Sequence, residues 1–130
     1  MKISRSQQNN LIQSVSSNPR GIQYKDIFYT SAVAILNENI KLISDIAQDP
    51  NTLKYIENTF SKQSFDFILI GNDAYYRQPM PHIENFCITH HIGFEQMAFK
   101  SACKTYNLIA SDRNFLILLY TQSIENSDEN

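Results

Sequence analysis

The stretch "SFDFILIG", Ser64 to Gly71, decides the fold, because it reads equally well in two periods. Phe65, Ile68, Leu69, Asn72 and Tyr76 fall at spacings of three, four, seven and eleven, which puts them on one face of a helix capped by Ser64. The same residues alternate well enough to form a strand. No comparable partner strand lies nearby in the sequence, so the helix is the expectation. A second run, "NFLILLY" from Asn114 to Tyr120, poses the same choice, with Ser111 available to cap a last helix.

Working outward, glycine supports the helical choice. Three glycines and four prolines in 130 residues are few for a many-stranded sheet, which usually turns on glycine or Asn-Gly pairs. Ser4 or Ser6 can cap a first helix carrying Leu11, Ile12 and Val15, ended by "SSNPRG". From Ile22 to Gln48, Phe28, Ala32, Ile35, Ile40, Ile43 and Ala47 recur at steps of three to five, while Asn37, Glu38, Lys41 and Asp45 fall largely on another face. This predicts the longest helix of the chain. Asp49 followed by Pro50 is an N-cap with proline at the first helical position, and Leu53, Ile56 and Phe60 make the buried stripe of the next helix. Pro81 opens another, and Phe94, Met97, Ala98, Ser101, Ala102 and Thr105 trace a small-residue stripe after Gly93. The fold expected is mainly α, a compact single-domain globule of six to seven helices. The alternative is α+β, with short strands near 65–70 and 115–120. Residues 1–124 would form the helical domain and 125–130 an acidic flexible tail.

Composition narrows the functional classes. A chain of this length supports one core, and 42% hydrophobic with 18% charged residues is a globular balance. The longest apolar run, Phe115 to Tyr120, is too short to cross a bilayer, and the N-terminus has no apolar leader, so a cytoplasmic protein is expected. Cys87 and Cys103 read as buried free thiols of a reducing compartment. Residues 1–63 carry seven Lys/Arg against five Asp/Glu, and residues 64–130 four against eight, three of those acids in "ENSDEN". With no Lys/Arg run, and only Lys100 and Lys104 on the best candidate recognition helix, nucleic acid is a poor partner.

The stretch "PMPHIENFCITHHIGFEQ", Pro79 to Gln96, holds all three histidines and Cys87. On a helix from Pro81 to Ile92, Ile83, Phe86, Cys87 and His90 share one arc while Glu84 and His91 lie opposite. The imidazoles therefore do not converge, and no CxxC or HExxH supplies further ligands, so no metal is expected and His90 reads as a core residue. A cysteine on a core-facing arc is held as thiol by desolvation, which argues against a nucleophile. Phosphate-loop and nucleophile-elbow motifs are absent from the sequence, and the carboxylate pairs Asp45 with Asp49 and Asp66 with Asp73 read as solvated faces. No cofactor is expected.

What remains is a binding surface. Eight Phe and seven Tyr exceed what so small a core needs as tyrosine, and exposed tyrosines suit interfaces. The segment "GNDAYYRQPMPHIEN", Gly71 to Asn85, gathers Asp73, Tyr75, Tyr76, Arg77, Met80, His82 and Glu84 around a proline-stiffened connection, the candidate partner-binding loop. The function expected is a small cytoplasmic protein-binding inhibitor, an immunity protein or antitoxin covering the active site of a basic, nuclease-type toxin. Two alternatives stand beside it: a metal- or thiol-dependent enzyme centred on Cys87, His90 and His91, and a homo-oligomeric regulatory or structural protein.

Overall fold

The computed structural model describes residues 11–46, 49–73 and 80–122. In chain order the described residues form β1 (Ile12–Ser17), β2 (Arg20–Tyr24), β3 (Ile27–Tyr29), β4 (Val33–Leu36), β5 (Asn39–Leu42), α1 (Pro50–Lys62), β6 (Phe67–Gly71), α2 (Pro81–His90), β7 (Gly93–Met97), α3 (Phe99–Ile109) and β8 (Phe115–Leu119). The fold is therefore α+β, and the expected all-helical globule is overturned.

Both ambiguous runs are strands, and burial on two faces explains why their period was hidden. The second sheet has the order β5-β4-β8-β6-β7; β8, β6 and β7 are parallel, while β4 is antiparallel to both of its neighbours. On one face Ile68 and Ile70 of β6 and Leu116 and Leu118 of β8 join Ala34 and Leu36 in a core covered by Ile56 of α1 and by Ile83, Phe86 and Cys87 of α2. On the other face Leu69, Phe115, Ile117, Leu119, Val33 and Ile35 meet Phe99, Ala102, Cys103 and Tyr106 of α3, with Ile12, Ile22 and Tyr24 of the first sheet. A strand wet on one side alternates in hydropathy; one buried on both sides is apolar throughout. Burying a large aliphatic side chain stabilises by about 1.5–3 kcal/mol. Only a strand lets neighbouring residues of "FILI" and "FLILL" serve two separate cores.

The described parts of the helices expected before residue 49 are strands joined by tight turns, and Ser4, Ser6, Ala47 and Gln48 lie outside the described residues. β1, β2 and β3 form an antiparallel meander, and β4 and β5 a hairpin. Two of the turns are two-residue type I′ turns without glycine: Lys25 and Asp26 have φ of 51° and 67°, and Asn37 and Glu38 have 47° and 72°. Side chains hold them. The Lys25 Nζ donates to the Glu38 carbonyl at 2.6 Å, and the Gln13 amide exchanges two hydrogen bonds with the Asp26 backbone N–H and carboxylate. The apolar spacing from Phe28 to Ile43 therefore belongs to three strands and two cores: Ile35 and Ile40 face one core, Ala32 and Ile43 the other.

Two helices, α1 and α2, start where the sequence reading places them. Asp49 caps α1 by accepting from the Asn51 N–H at 2.8 Å, with Pro50 at the first position. α2 opens at Pro81 and buries Ile83, Phe86 and Cys87. The helix expected after Gly93 is corrected: Gly93–Met97 is strand β7, and α3 begins only at Phe99. The buried residues of α3 are Phe99, Ala102, Cys103 and Tyr106, with Ser101 exposed. None of the described helices is long and apolar enough to cross a membrane. Residues 125–130 lie outside the described part of the chain.

Candidate functional site

β5 is an edge strand, and its register shows which backbone groups it leaves open. The Ile43 N–H donates to the Ala32 carbonyl at 2.9 Å, continuing the β4–β5 register in which Leu42 faces Val33 and Lys41 faces Ala34. Hydrogen-bonded and non-bonded pairs alternate along an antiparallel ladder. The bonded pairs are thus Ile43 with Ala32, Lys41 with Ala34 and Asn39 with Leu36. The N–H and C=O groups of Ile40 and Leu42 point away from β4, and β5 has no second strand partner among the described residues.

The two faces of this edge differ in chemistry. Lys41 lies on the α1 side, its Nζ 5.6 Å from the Tyr55 ring centroid. Helical spacing brings Asn51, Lys54, Tyr55, Asn58 and Lys62 of α1 into line with it along an open groove of about 480 Å³ that contains no carboxylate. Among the described residues none of the three ammonium groups is in an ion pair. On the opposite face Ile40 packs on the core shared with the first sheet, and Leu42, two residues on, is 60% exposed. Ile27 and Phe28 of β3 and Ile46 are also exposed, at 55%, 47% and 65%. An exposed large aliphatic such as Leu42 on an unpaired strand is a feature that folds usually cover or use. The groove beside β7, at the other edge, has mixed charge: Arg113 there lies 4.8 Å from the Phe67 ring centroid and pairs loosely with Asp66 at 4.0 Å.

Sequence reasoning missed Lys54 and Lys62, although an acid-free stripe at steps of three and four along α1 was legible. It placed Lys41 on a helix, and only the β4–β5 pairing brings Lys41 beside the other two.

The described start of the proposed loop, Asn72 and Asp73, lies at the carboxyl ends of β6 and β7, where the chain leaves toward opposite faces of the sheet, the usual ligand-binding place in open α/β sheets. The described residues of the loop differ in setting. Asp73 forms an ion pair with Arg20 and accepts from the Phe99 N–H at 2.9 Å, capping α3. The Arg20 guanidinium stacks 5.1 Å from the Phe99 ring centroid. Met80 is buried in the α2-side core, and Glu84 accepts from the Met80 N–H at 3.2 Å. His82 is exposed. Tyr75, Tyr76 and Arg77 lie outside the described residues. The Tyr120 hydroxyl is buried without a hydrogen-bond partner, and burial pushes its pKa well up, with the Asp45 and Asp49 charges adding to the shift.

The remaining candidates for chemistry are separated. His90 is exposed rather than a core residue, its ring 4.4 Å from Phe86 and 4.9 Å from Phe60. His91 ends α2 in a left-handed conformation, φ 56°. No three His, Cys, Asp or Glu side chains among the described residues are grouped as a metal site. Burial pushes the Cys87 thiol up to about 11, Glu84 adding to it, and the Cys103 thiol to about 12 despite Arg20 nearby. Neither thiol should react with Ellman's reagent at pH 8 in the folded chain, and both should react at once on unfolding. Because the folded pKa values lie above the ordinary value of 9.0, the two thiols favour folding fully below pH 9. The urea midpoint should fall as pH rises from 9 towards 11 to 12, and a Cys87→Ser, Cys103→Ser chain should lose that part of the pH dependence.

An α+β domain whose mixed sheet is covered on both faces, with one open cationic edge, is the class that these features define. The chain belongs to the family described as protein of unknown function (DUF498/DUF598), whose model matches residues 15–119. Solved structures share the fold. A Bartonella henselae protein described as an outer membrane protein superposes with a TM-score of 0.69 at 20% identity, over 87% of this chain and 95% of that one. A Bordetella pertussis protein described as a Mth938-like domain gives 0.68 at 14% identity, over 100% and 97%. A Bordetella parapertussis protein gives 0.66 at 18%, over 87% and 96%. No curated protein matches the chain. None of these descriptions names an immunity protein or a toxin inhibitor.

Proposed function

We propose that this protein is a non-catalytic binding module that docks another protein on the open edge formed by β5. The observation that carries this reading is the pair of outward-facing backbone units at Ile40 and Leu42, set between the exposed Leu42 side chain on one face and the carboxylate-free groove of Lys41, Lys54 and Lys62 on the other. Free strand edges are a recurrent docking device, because an added strand satisfies their N–H and C=O groups. The earlier expectation of a basic partner rested on the acid excess after residue 64, part of it in 125–130. The edge argues for the opposite charge. A cytoplasmic location fits two buried free thiols.

The test is cross-linking and co-purification of the full chain from its own host, with the partner identified and the contacts mapped. Cross-links are expected at β5 and α1, and Leu42→Pro is expected to remove them. Proline at 42 takes away an outward N–H that the β4 ladder does not use, so thermal stability should be almost unchanged. A partner that maps elsewhere, or that Leu42→Pro leaves bound, would overturn the reading.

A further inference from the structure

Resting on that reading, we infer the chemistry of the occupant: an extended segment of another protein, with acidic and aliphatic side chains alternating, added as a sixth strand beside β5. Successive side chains of a strand point to opposite faces of its sheet. One set of the added strand would lie over the α1 groove beside Lys41, Lys54 and Lys62; the other would continue the row of Ile40 and Leu42. The three ammonium groups have no carboxylate in the groove to neutralise them, in a chain of net charge -2. Carboxylates arriving on alternate residues supply that charge, and aliphatic residues between them cover Leu42.

Length agrees. From Asn51 to Lys62 the helix advances about 17 Å at roughly 1.5 Å per residue, the span of about five strand residues at roughly 3.3 Å each. A second copy is disfavoured by the same residues. Antiparallel pairing of two β5 strands over their full outward edge sets Lys41 directly against its symmetry mate, and like charges directly opposite destabilise a ladder. Lys41 thus disfavours pairing with a second β5 and favours an acidic strand, one residue serving both ends of specificity.

The experiment uses fluorescein-labelled heptapeptides and the full chain, read by fluorescence anisotropy. The alternating peptide is Glu-Val-Glu-Val-Glu-Ile-Glu. The controls are the same composition with its acids in one block, the alternating peptide with Lys for Glu, and oligo(dT). The alternating acidic peptide is expected to bind at least about tenfold tighter than either peptide control, a difference of about 1.4 kcal/mol. The affinity should weaken with added salt. Amide protons of Ile40 and Leu42 should become protected from exchange, and Leu42→Pro should abolish binding. A chain carrying Lys41→Glu, Lys54→Glu and Lys62→Glu should reverse the preference, taking the Lys peptide instead, which general unfolding would not produce.

Equal binding of alternating and blocked peptides would overturn the strand geometry. Preferential binding of oligo(dT) would make the groove a phosphate site and overturn the acidic-segment inference. Failure of every peptide, with a host partner still cross-linking to β5, would overturn this inference and leave the docking-edge reading standing.

Discussion

A Gly71→Val chain is expected to lose about 3 kcal/mol of stability, at the upper end of typical overpacking costs. The cause is local. A β-carbon at Gly71 would lie 2.6 Å from the Ala102 β-carbon and 2.8 Å from the Leu119 side chain. The Ala102 atom is fixed to the backbone of α3, so β6 and α3 must separate, and that loosens the core on this face of the sheet. In a domain of this size such a loss lowers the melting temperature by on the order of 10 °C. Circular dichroism melts of Gly71→Ala and Gly71→Val should show a graded fall. A melting temperature within two or so degrees of the parent for Gly71→Val would mean that the β6–α3 contact is looser than described.

The second large effect is at Asp73. Its carboxylate pairs with Arg20, caps α3 through the Phe99 N–H, and joins the first sheet to the second. The Arg20 and Asp73 side chains are only 16% and 19% exposed, so Asp73→Ala leaves a largely buried guanidinium unpaired, and its Nε already lacks a partner. Breaking one side of such a pair costs about 3–5 kcal/mol, and the lower end is expected here because some solvent reaches both groups. Arg20→Met keeps the apolar contact over Phe99 and removes the charge. In Arg20→Met, Asp73→Ala the combined loss, read by urea denaturation, should fall short of the sum of the single losses by about 1–2 kcal/mol. Strict additivity would show that the two side chains do not act as a pair.

How much of this could be read from residues alone varied along the chain. α1 was legible to its cap, because Asp49, Pro50 and the Leu53–Ile56–Phe60 stripe are local signals, each acting within one or two helical turns. α2 was legible at its start and in its buried Ile83, Phe86 and Cys87, but the arc argument failed at His90, which it placed in the core and which is exposed. The β-hairpins were not. Their turns use Lys25-Asp26 and Asn37-Glu38 where glycine is the usual signal, and what holds those conformations is contact with Gln13 and between the two turns themselves. No count of glycines along the chain can register such contacts.

The candidate site was divided in the same way. Lys54 and Lys62 form an acid-free stripe within one helix, open to inspection in the sequence, but a stripe on a helix is ordinarily a solvated face. It becomes one side of a groove only when the β4–β5 pairing brings Lys41 beside it and leaves Ile40 and Leu42 with their backbone open. The segment from Gly71 was noted for its composition, whereas the position of Asn72 and Asp73 at the carboxyl ends of β6 and β7 comes from topology.

The sequence by itself determined the local features: helix starts at Asp49 and Pro81, the buried Ile56 of α1 and Ile83, Phe86 and Cys87 of α2, and apolar runs at 67–70 and 115–120 that had to be interior. Tertiary structure alone decided whether those runs were helix or strand. The physical reason is that a continuous apolar segment records only that it is dry on all sides. Whether it stays dry as one face of a bundle or between two layers depends on what packs against it, and here those partners are drawn from across the chain: α1 and α2 on one face, α3 and the first sheet on the other.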